Sequence, residues 1–259
     1  MSGAIIIRRD GYVATVTIDN EAKRNAMSQA MWMEMGDAIL DLSTDMNLRC
    51  IVVRGAGDQA FGSGADIDEF ESIRADKAQA TAFAKHGHRA MHAMRDCPIP
   101  TVAAIQGACV GGGLELAAFC DMRLCSEGSR FGIPISRLGG TLAYAELEGL
   151  MRLAGPTIAL ELLLEGRVID ASEALAKGMV NRVIPADRFE DEVRKAVARI
   201  TAGAPLAARW HKKFIAKLRS GAPLQDTDIA EGFACFDTRD YVIGYQAFLT
   251  KQTPQFLGQ

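Results

Sequence analysis

Several features are scarce in this 259-residue sequence, and each absence excludes a class of protein. Basic and acidic residues number 29 and 32, so the net charge is −3 and the sequence lacks the excess of positive charge that is typical of nucleic-acid-binding proteins. No apolar run approaches the ~20 residues of a membrane span, and no polybasic segment predicts a membrane surface. Residues 1–9 place two arginines after a short apolar run, the reverse of a signal peptide. We therefore expect neither nucleic acid nor a membrane as a partner.

The cysteines are not arranged as a disulfide framework or a zinc site. They stand at positions 50, 97, 109, 120, 125 and 235, without a Cys-x-x-Cys pair. His88 and His92 are four residues apart on a predicted helix, but the glutamate of an HExxH pattern is missing. We expect reduced thiols, a cytoplasmic location and no metal.

Glycine, in contrast, is abundant, with 25 residues in the chain. With 49% apolar residues, a chain of this length can bury a large core. Strand and helix patterns alternate at first and helices follow, which predicts an α/β core over residues 1–198 and a helical region over residues 199–259 packed on it. Strands are predicted at residues 5–9, 13–18, 49–54, 101–105 and 121–126, and helices from Ser28 and at residues 78–95, 114–119, 142–164, 187–201, 205–219, 224–236 and 238–250.

Two glycine-rich loops each follow a predicted strand and open into a helix. They occupy residues 55–66 (GAGDQAFGSGAD) and 107–113 (GACVGGG). Glycine lets the backbone approach a ligand closely, so N–H groups of both loops could converge on one oxygen as an oxyanion hole. The alternative is that the loops serve only chain topology. The loop at residues 107–113 does not fit GxGxxG and no Gly-Lys-Ser/Thr follows it, which disfavours a dinucleotide or nucleoside-triphosphate site.

Glu115 is the only charged residue between Ile105 and Asp121. It stands just inside a predicted apolar helix, where desolvation raises a carboxyl pKa and the helix N-terminus favours the anion. A carboxyl group balanced in this way can act as a general acid or base near neutral pH. The alternative is a helix-start glutamate bonded to exposed amides.

Several motifs are spaced along nearly the whole chain. They include residues 24–27 (RNAM), 61–67 (FGSGADI), 100–107 (PTVAAIQG), 111–117 (GGGLELA), 131–132 (FG), 164–166 (LEG), 178–180 (GMV) and 247–251 (AFLTK). In this order they resemble the crotonase (enoyl-CoA hydratase/isomerase) superfamily. The resemblance implies an α/β crotonase-like ββα spiral core with a C-terminal helical trimerisation region, a homotrimer or homohexamer, and an acyl-CoA substrate.

The same resemblance implies roles for individual residues. The backbone N–H groups of Ala65 and Gly112 would polarise the thioester carbonyl and stabilise an enolate. Glu115 would be the first catalytic glutamate. Coenzyme A is carried by the substrate, so no separate cofactor is implied. The implied substrate and CoA contacts are Asp66 and Ile67 on the substrate segment, Arg24 and Ala26 beside the nucleotide, and Phe248 and Lys251 across a subunit boundary.

The sequence departs from the hydratase pattern at Ile135. Hydratases carry a second glutamate at this point, and isoleucine cannot transfer a proton. Asp68 stands where a hydratase often carries lysine. Two-glutamate hydration would then need another carboxylate, and Glu146 falls on an apolar helical face in the segment that borders the family active site. We interpret it as a catalytic or substrate-contacting group, or alternatively as a buried structural or interface ion partner.

Two further features have ordinary alternatives. Tyr144 is a weaker candidate for the site, and packing is its alternative. A basic helix face predicts solvated surface, or alternatively contact with CoA phosphates. This face consists of His211, Lys212, Lys213, Lys217 and Arg219.

Three functional hypotheses follow. The first is an enoyl-CoA hydratase, a lyase of fatty acid metabolism that works through an enolate held in an oxyanion hole. The second is a double-bond isomerase or decarboxylase of acyl-CoA, because such reactions can proceed with one acid or base. The third is an acyl-CoA-binding protein without catalysis. The mass of the acyl-CoA would separate the reactions, with a gain of 18 Da for hydration, no change for isomerisation and a loss of 44 Da for decarboxylation. Tight binding without turnover would identify the third.

Overall fold

Two sheets organise the chain in the structure, a computed structural model that describes residues 3–259. The larger sheet pairs, in spatial order, β1 (Ala4–Asp10), β2 (Val13–Asp19), β3 (Cys50–Gly55), β5 (Thr101–Ile105), β7 (Met122–Ser126) and β10 (Arg182–Ile184). The smaller sheet pairs β4 (Ala60–Gly62), β6 (Ala108–Val110), β8 (Arg130–Gly132) and β9 (Ile169–Asp170).

Successive strand pairs alternate between the two sheets, and a helix follows each pair. In each of the pairs β3/β4, β5/β6 and β7/β8, the first strand lies in the larger sheet and the second in the smaller sheet. Strands from consecutive pairs are parallel neighbours within each sheet. This order repeats a ββα unit three times. The helices are α1 (Gln29–Thr44), α2 (Phe70–Ile73), α3 (Lys77–Asp96), α4 (Gly112–Ala118), α5 (Tyr144–Glu165), α6 (Ala171–Ala176), α7 (Phe189–Thr201), α8 (Pro205–Arg219), α9 (Asp226–Glu231) and α10 (Arg239–Thr250).

Local signals explain the first elements. Strands β1 and β2 pair antiparallel around Gly11, whose φ of 55° suits a tight turn. The Ser28 side chain accepts a hydrogen bond from the N–H of Met31 at 3.3 Å and so caps α1, as predicted. The apolar face of α1 is buried in the main core, and its members include Met31, Trp32, Met35, Ile39 and Leu42.

The helical boundaries after residue 140 differ in part from the expectation. Helix α5 bends at Gly155, whose φ of 76° and ψ of 168° are not helical, directly before Pro156, as predicted. The helix predicted over residues 224–236 is wrong in length. Helix α9 ends at Glu231, directly before Gly232, and a short 3₁₀ turn, Ala234–Asp237, follows it. Glycine is a poor helix former, which favours this interruption.

The C-terminal tail is bonded to the α/β part of the chain. The Arg49 guanidinium donates to the carbonyl oxygens of Thr201 and Phe256 at 3.0 and 2.6 Å. The buried Asp240 carboxylate accepts from the N–H groups of Leu257 and Gly258 at 2.6 and 2.9 Å. Between residues 3 and 259, no helix has the length and apolar character that crossing a membrane requires. Helices α8 to α10 and the turn before α10 expose large apolar side chains, among them Leu218, Phe233, Phe236, Phe248 and Leu249.

Candidate active site

A cavity of about 180 Å³ lies between the two glycine loops and helices α3 and α5. This is smaller than the ~300–1,000 Å³ that whole small ligands occupy, so it fits part of a ligand. Glu115, Glu146 and Arg74 are the charged groups of its lining within the described chain. Most other lining residues are apolar, including Trp32, Phe70, Phe83, Met91, Ile133, Ile135, Leu138 and Leu142.

Glu115 lines this cavity from the first turn of α4 and is only 8% exposed. Burial raises its pKa to about 8, with a further increase from the nearby Glu146 carboxylate and an opposing effect of Arg74. Desolvation therefore outweighs the preference of the helix N-terminus for an anion. The side chain is mainly protonated at neutral pH and can hold or release a proton there.

The two glycine loops touch each other through their backbones. A Cβ on Gly113 would overlap the carbonyl group of Gly62. A Cβ on Gly64, whose φ is +103°, would lie 3.3 Å from the Gly112 nitrogen. Larger residues would force the loops apart at these positions, so glycine is what brings the two backbones together.

The N–H groups of Ala65 and Gly112 line the cavity and have no hydrogen-bond acceptor within residues 3–259. Ala65 pairs with Met27 in a parallel bridge. The bonds of that bridge run from Met27 N–H to Gly64 O at 2.8 Å and from Asp66 N–H to Met27 O at 3.0 Å, so the Ala65 N–H is left out. Gly112 is the first residue of α4, where N–H groups have no intrahelical partner. Two donors are thus open to a ligand oxygen.

Glu146 is the second carboxylate of the cavity. It lies in the first turn of α5, and its side chain is 13% exposed. Its Oε1 lies 3.0 Å from Nε2 of His88 on α3, and its Oε2 accepts from the N–H of Ala143. Ile135 lies in the same lining, so the position of the second hydratase glutamate is apolar here. The structure brings Glu115 and Glu146 to one cavity and places Glu146 in hydrogen-bonding contact with His88 at the same time.

Sequence reasoning missed His88 and Arg74 as members of the site. His88 gave no local signal, because its role depends on contact with Glu146, which is 58 positions away in the sequence. Arg74 gave no such signal either, since it follows the four-residue helix α2 in a polar stretch. In the described part of the chain, no group of three or more His, Cys, Asp or Glu side chains could hold a metal ion.

The predicted substrate segment divides into two parts. Ile67 lines the cavity. Asp66 does not, because its carboxylate turns toward Lys23, with Nζ at 2.6 Å. The same ammonium lies 2.8 Å from Asp68, the residue at the position where hydratases often carry lysine.

The residues predicted to contact CoA lie outside the cavity. Arg24 is exposed, with a left-handed φ of 53°, and Ala26 is buried beside it. Phe248 is 85% exposed near the end of α10, and Lys251 ends that helix with a φ of 56°. None of the four belongs to the cavity lining of a single chain.

One expectation from the sequence is wrong, and another holds for most of its residues. Tyr144 is 92% exposed, so it neither packs in the core nor lines the cavity. Most of the basic helix face is solvated as predicted, because His211, Lys213 and Arg219 are exposed and Lys217 is partly exposed. The Lys212 side chain, in contrast, is 16% exposed, lies 2.6 Å from Asp121 and donates to the carbonyl oxygen of Ile99 at 2.7 Å.

Comparisons with known proteins agree with this geometry. The family model described as enoyl-CoA hydratase/isomerase matches residues 8–259. A crotonyl-CoA hydratase of Syntrophomonas wolfei is 32% identical, with 98% of each chain covered. A short-chain-enoyl-CoA hydratase of Clostridium acetobutylicum is 31% identical, with 96% of this chain and 95% of that one covered.

Solved structures show the same fold. The crystal structure of an enoyl-CoA hydratase/carnithine racemase from Magnetospirillum magneticum superposes with a TM-score of 0.97 at 44% identity, covering 100% of this chain and 97% of that one. The α/β crotonase fold predicted from the sequence is therefore confirmed. With the family model matching all but the first residues, the chain belongs to the enoyl-CoA hydratase/isomerase family.

Proposed function

We propose that this protein is an enoyl-CoA hydratase that adds water across the double bond of a short 2-enoyl-CoA. The observation that carries the proposal is the convergence of two carboxyl groups, Glu115 and Glu146, with two open N–H donors in one cavity. The names of the relatives from Syntrophomonas wolfei and Clostridium acetobutylicum point to the same reaction.

The two N–H groups are assigned to the thioester oxygen. With that oxygen placed between Ala65 and Gly112, negative charge that develops on it is stabilised by donors that are already in position. Removal of one such donor costs roughly 10²–10³ in rate in other enzymes. The small apolar cavity then holds the acyl chain, with CoA outside.

The carboxyl groups are assigned to the two proton transfers. Glu146 takes a proton from water while the water oxygen bonds to the acyl β-carbon, and the electrons of the carbon–carbon double bond move onto the thioester oxygen. Protonated Glu115 then gives its proton to the α-carbon, and the carbonyl group re-forms. Its pKa of about 8 keeps this proton available at neutral pH. Glu146 then releases its proton to the solvent, and Glu115 takes up a proton from the solvent, which restores both groups.

The CoA part and the assembly are also proposals. Arg24 and Ala26 would border the nucleotide, with Asp66 holding that segment through Lys23. The exposed Phe248 and Lys251 would reach CoA bound by a neighbouring subunit in a homotrimer or homohexamer. The exposed apolar side chains of α8 to α10 support such an assembly. Light scattering with size-exclusion chromatography tests this assembly. We also place the protein in the cytoplasm, with a role in fatty acid metabolism.

A hydration assay tests the function. Loss of the enoyl absorbance of crotonyl-CoA, with a product 18 Da heavier, is expected for the wild-type protein. Glu115→Gln and Glu146→Gln should each lower kcat by ~10²–10⁴, the usual contribution of a general acid or base. A protein that binds crotonyl-CoA without turning it over would refute the hydratase and leave the acyl-CoA-binding hypothesis.

A second candidate is double-bond isomerisation, and Ile135 favours it. An apolar side chain in the lining leaves Glu115 as the sole carboxyl group at a hydratase position, and one acid or base can move a proton between two carbons. A 3-enoyl-CoA would then change its retention time without changing its mass. Activity that survives Glu146→Gln but not Glu115→Gln supports the isomerase over the hydratase.

A further inference from the structure

The Arg74 side chain is a cation without a partner in the cavity wall. Its guanidinium carbon lies 4.8 Å from the ring centroids of both Phe70 and Phe83, so two aromatic rings hold it in place. Among residues 3–259, the guanidinium has no salt bridge within 4.0 Å and no side-chain hydrogen bond. The acidic residues shortly before it in the chain have other partners, since Asp66 and Asp68 bind Lys23 and Glu69 accepts from the Gln29 N–H. The five N–H donors of the guanidinium are therefore open to a ligand.

The other charged groups of the lining form no ion pair with this cation. Glu115 is mainly protonated at neutral pH because burial raises its pKa to about 8. Both oxygens of Glu146 are already engaged, one with His88 and the other with the Ala143 N–H. Arg74 is the only lysine or arginine in the lining within the described residues. Arg74 is thus the cation of the described lining, and no carboxylate there is paired with it directly.

The remaining walls have little else to recognise. Phe70, Phe83, Met91, Ile133 and Ile135 give an apolar surface that fits the methylene groups of an acyl chain. An arginine fork binds a carboxylate through two parallel hydrogen bonds, and aromatic contact pre-orients its plane. A neutral acyl chain would leave the guanidinium without an acceptor in a partly desolvated place.

We propose that the acyl chain of the natural substrate carries a carboxylate, which Arg74 binds. The substrate class is thus the CoA thioester of a short dicarboxylic acid, bound with its thioester oxygen at the two open N–H groups and its free carboxylate at Arg74. This inference rests on the proposed acyl-CoA function and deepens it. Because Arg74 binds the carboxylate, an acyl-CoA with a neutral chain of the same length should bind more weakly.

A binding experiment with two saturated thioesters tests this without catalysis. Succinyl-CoA and butyryl-CoA have acyl chains of four carbons and differ in the terminal carboxylate. Calorimetric titration of the wild-type protein should give at least ~10-fold tighter binding of succinyl-CoA. Arg74→Gln should remove that preference and leave the butyryl-CoA affinity within about twofold, while Arg74→Lys should restore part of it. Lys77→Gln, an exposed cation on α3 outside the lining, is the matched control and should keep the preference.

Three results would overturn the proposal. Equal affinity of the wild-type protein for both thioesters shows that the cavity does not select a carboxylate. An equal loss for both thioesters and for free CoA in Arg74→Gln shows that Arg74 contacts the CoA part. Loss of the thermal transition in both Arg74→Gln and Arg74→Lys shows that the side chain serves packing between its two rings.

Turnover separates this proposal from the hydratase proposal. Glutaconyl-CoA, an unsaturated dicarboxylic thioester, should be hydrated with a kcat/KM above that of crotonyl-CoA by at least ~10-fold, and Arg74→Gln should reduce this ratio toward one. Selective binding of succinyl-CoA without any hydration refutes the hydratase alone. A 44 Da loss from glutaconyl-CoA also refutes hydration while it leaves carboxylate binding intact.

Discussion

Substitution of Glu115 by glutamine removes one ionisable group from the cavity and keeps the size of the side chain. Burial holds the Glu115 pKa at about 8 in the folded protein, against 4.5 for an unperturbed carboxyl group. Between these two values the folded state binds the proton more tightly than the unfolded state does. The stability that this proton supplies is complete below the unfolded pKa and is lost as the pH rises through the folded pKa.

The size of the effect follows from the difference between the two pKa values. A difference of about 3.5 units, from 4.5 to about 8, corresponds to ~5 kcal/mol at ~1.36 kcal/mol per unit. Glutamine does not titrate. The free energy of unfolding of Glu115→Gln minus that of the wild-type protein should therefore rise by ~5 kcal/mol across this range and become constant above it.

Urea denaturation at several pH values measures this difference. Tryptophan fluorescence reports unfolding, because Trp32 is buried beside the cavity, and equal protein concentrations keep assembly effects matched. Glu71→Gln, at an exposed position, should show no comparable trend. A difference between Glu115→Gln and wild type that does not change from pH 5 to 9 would refute the raised pKa.

Three further substitutions test other parts of the structure. Gly64→Ala should lower kcat in the hydration assay by ~10²-fold, because a Cβ 3.3 Å from the Gly112 nitrogen shields its N–H. Gly11→Ala, at a φ of 55° in open space, is the control and should leave kcat unchanged. Equal effects of the two substitutions on kcat would contradict this reasoning. His88→Gln should lower kcat ~10–100-fold with little change in KM, since the carboxylate it faces loses its orientation, and an unchanged kcat would argue against that role. Asp240→Ala should cost ~1–3 kcal/mol in urea denaturation, because two N–H groups of the tail lose their acceptor, and an unchanged midpoint would show that the tail contributes little.

Much of the fold could be predicted where local signals are strong. The strand at residues 101–105 and the helix at residues 205–219 have the predicted bounds, since prolines, apolar patterning and charge mark their ends. The segment near Gly232 was harder, because an amphipathic pattern continues across a residue that interrupts the helix. Its end depends on the backbone preference of one glycine, which periodicity does not measure.

The site was predictable only where its composition is locally unusual. Glu115 and the glycine loops stand out in the sequence because a lone carboxyl group and clustered glycines are rare in apolar surroundings. Arg74 and His88 do not stand out, since their positions depend on which helix faces meet across the cavity. The pairing of His88 with Glu146 joins residues that are 58 positions apart, which no local pattern encodes.

The backbone contact between Gly62 and Gly113 has a consequence for how the site tolerates change. The spacing of the two N–H donors is set by main chain against main chain, not by side chains that could repack. Substitutions elsewhere in the core can shift a wall of the cavity without altering that spacing. Substitutions in the cavity walls can therefore change which acyl group binds, while the distance between the two N–H donors that polarise the thioester stays the same.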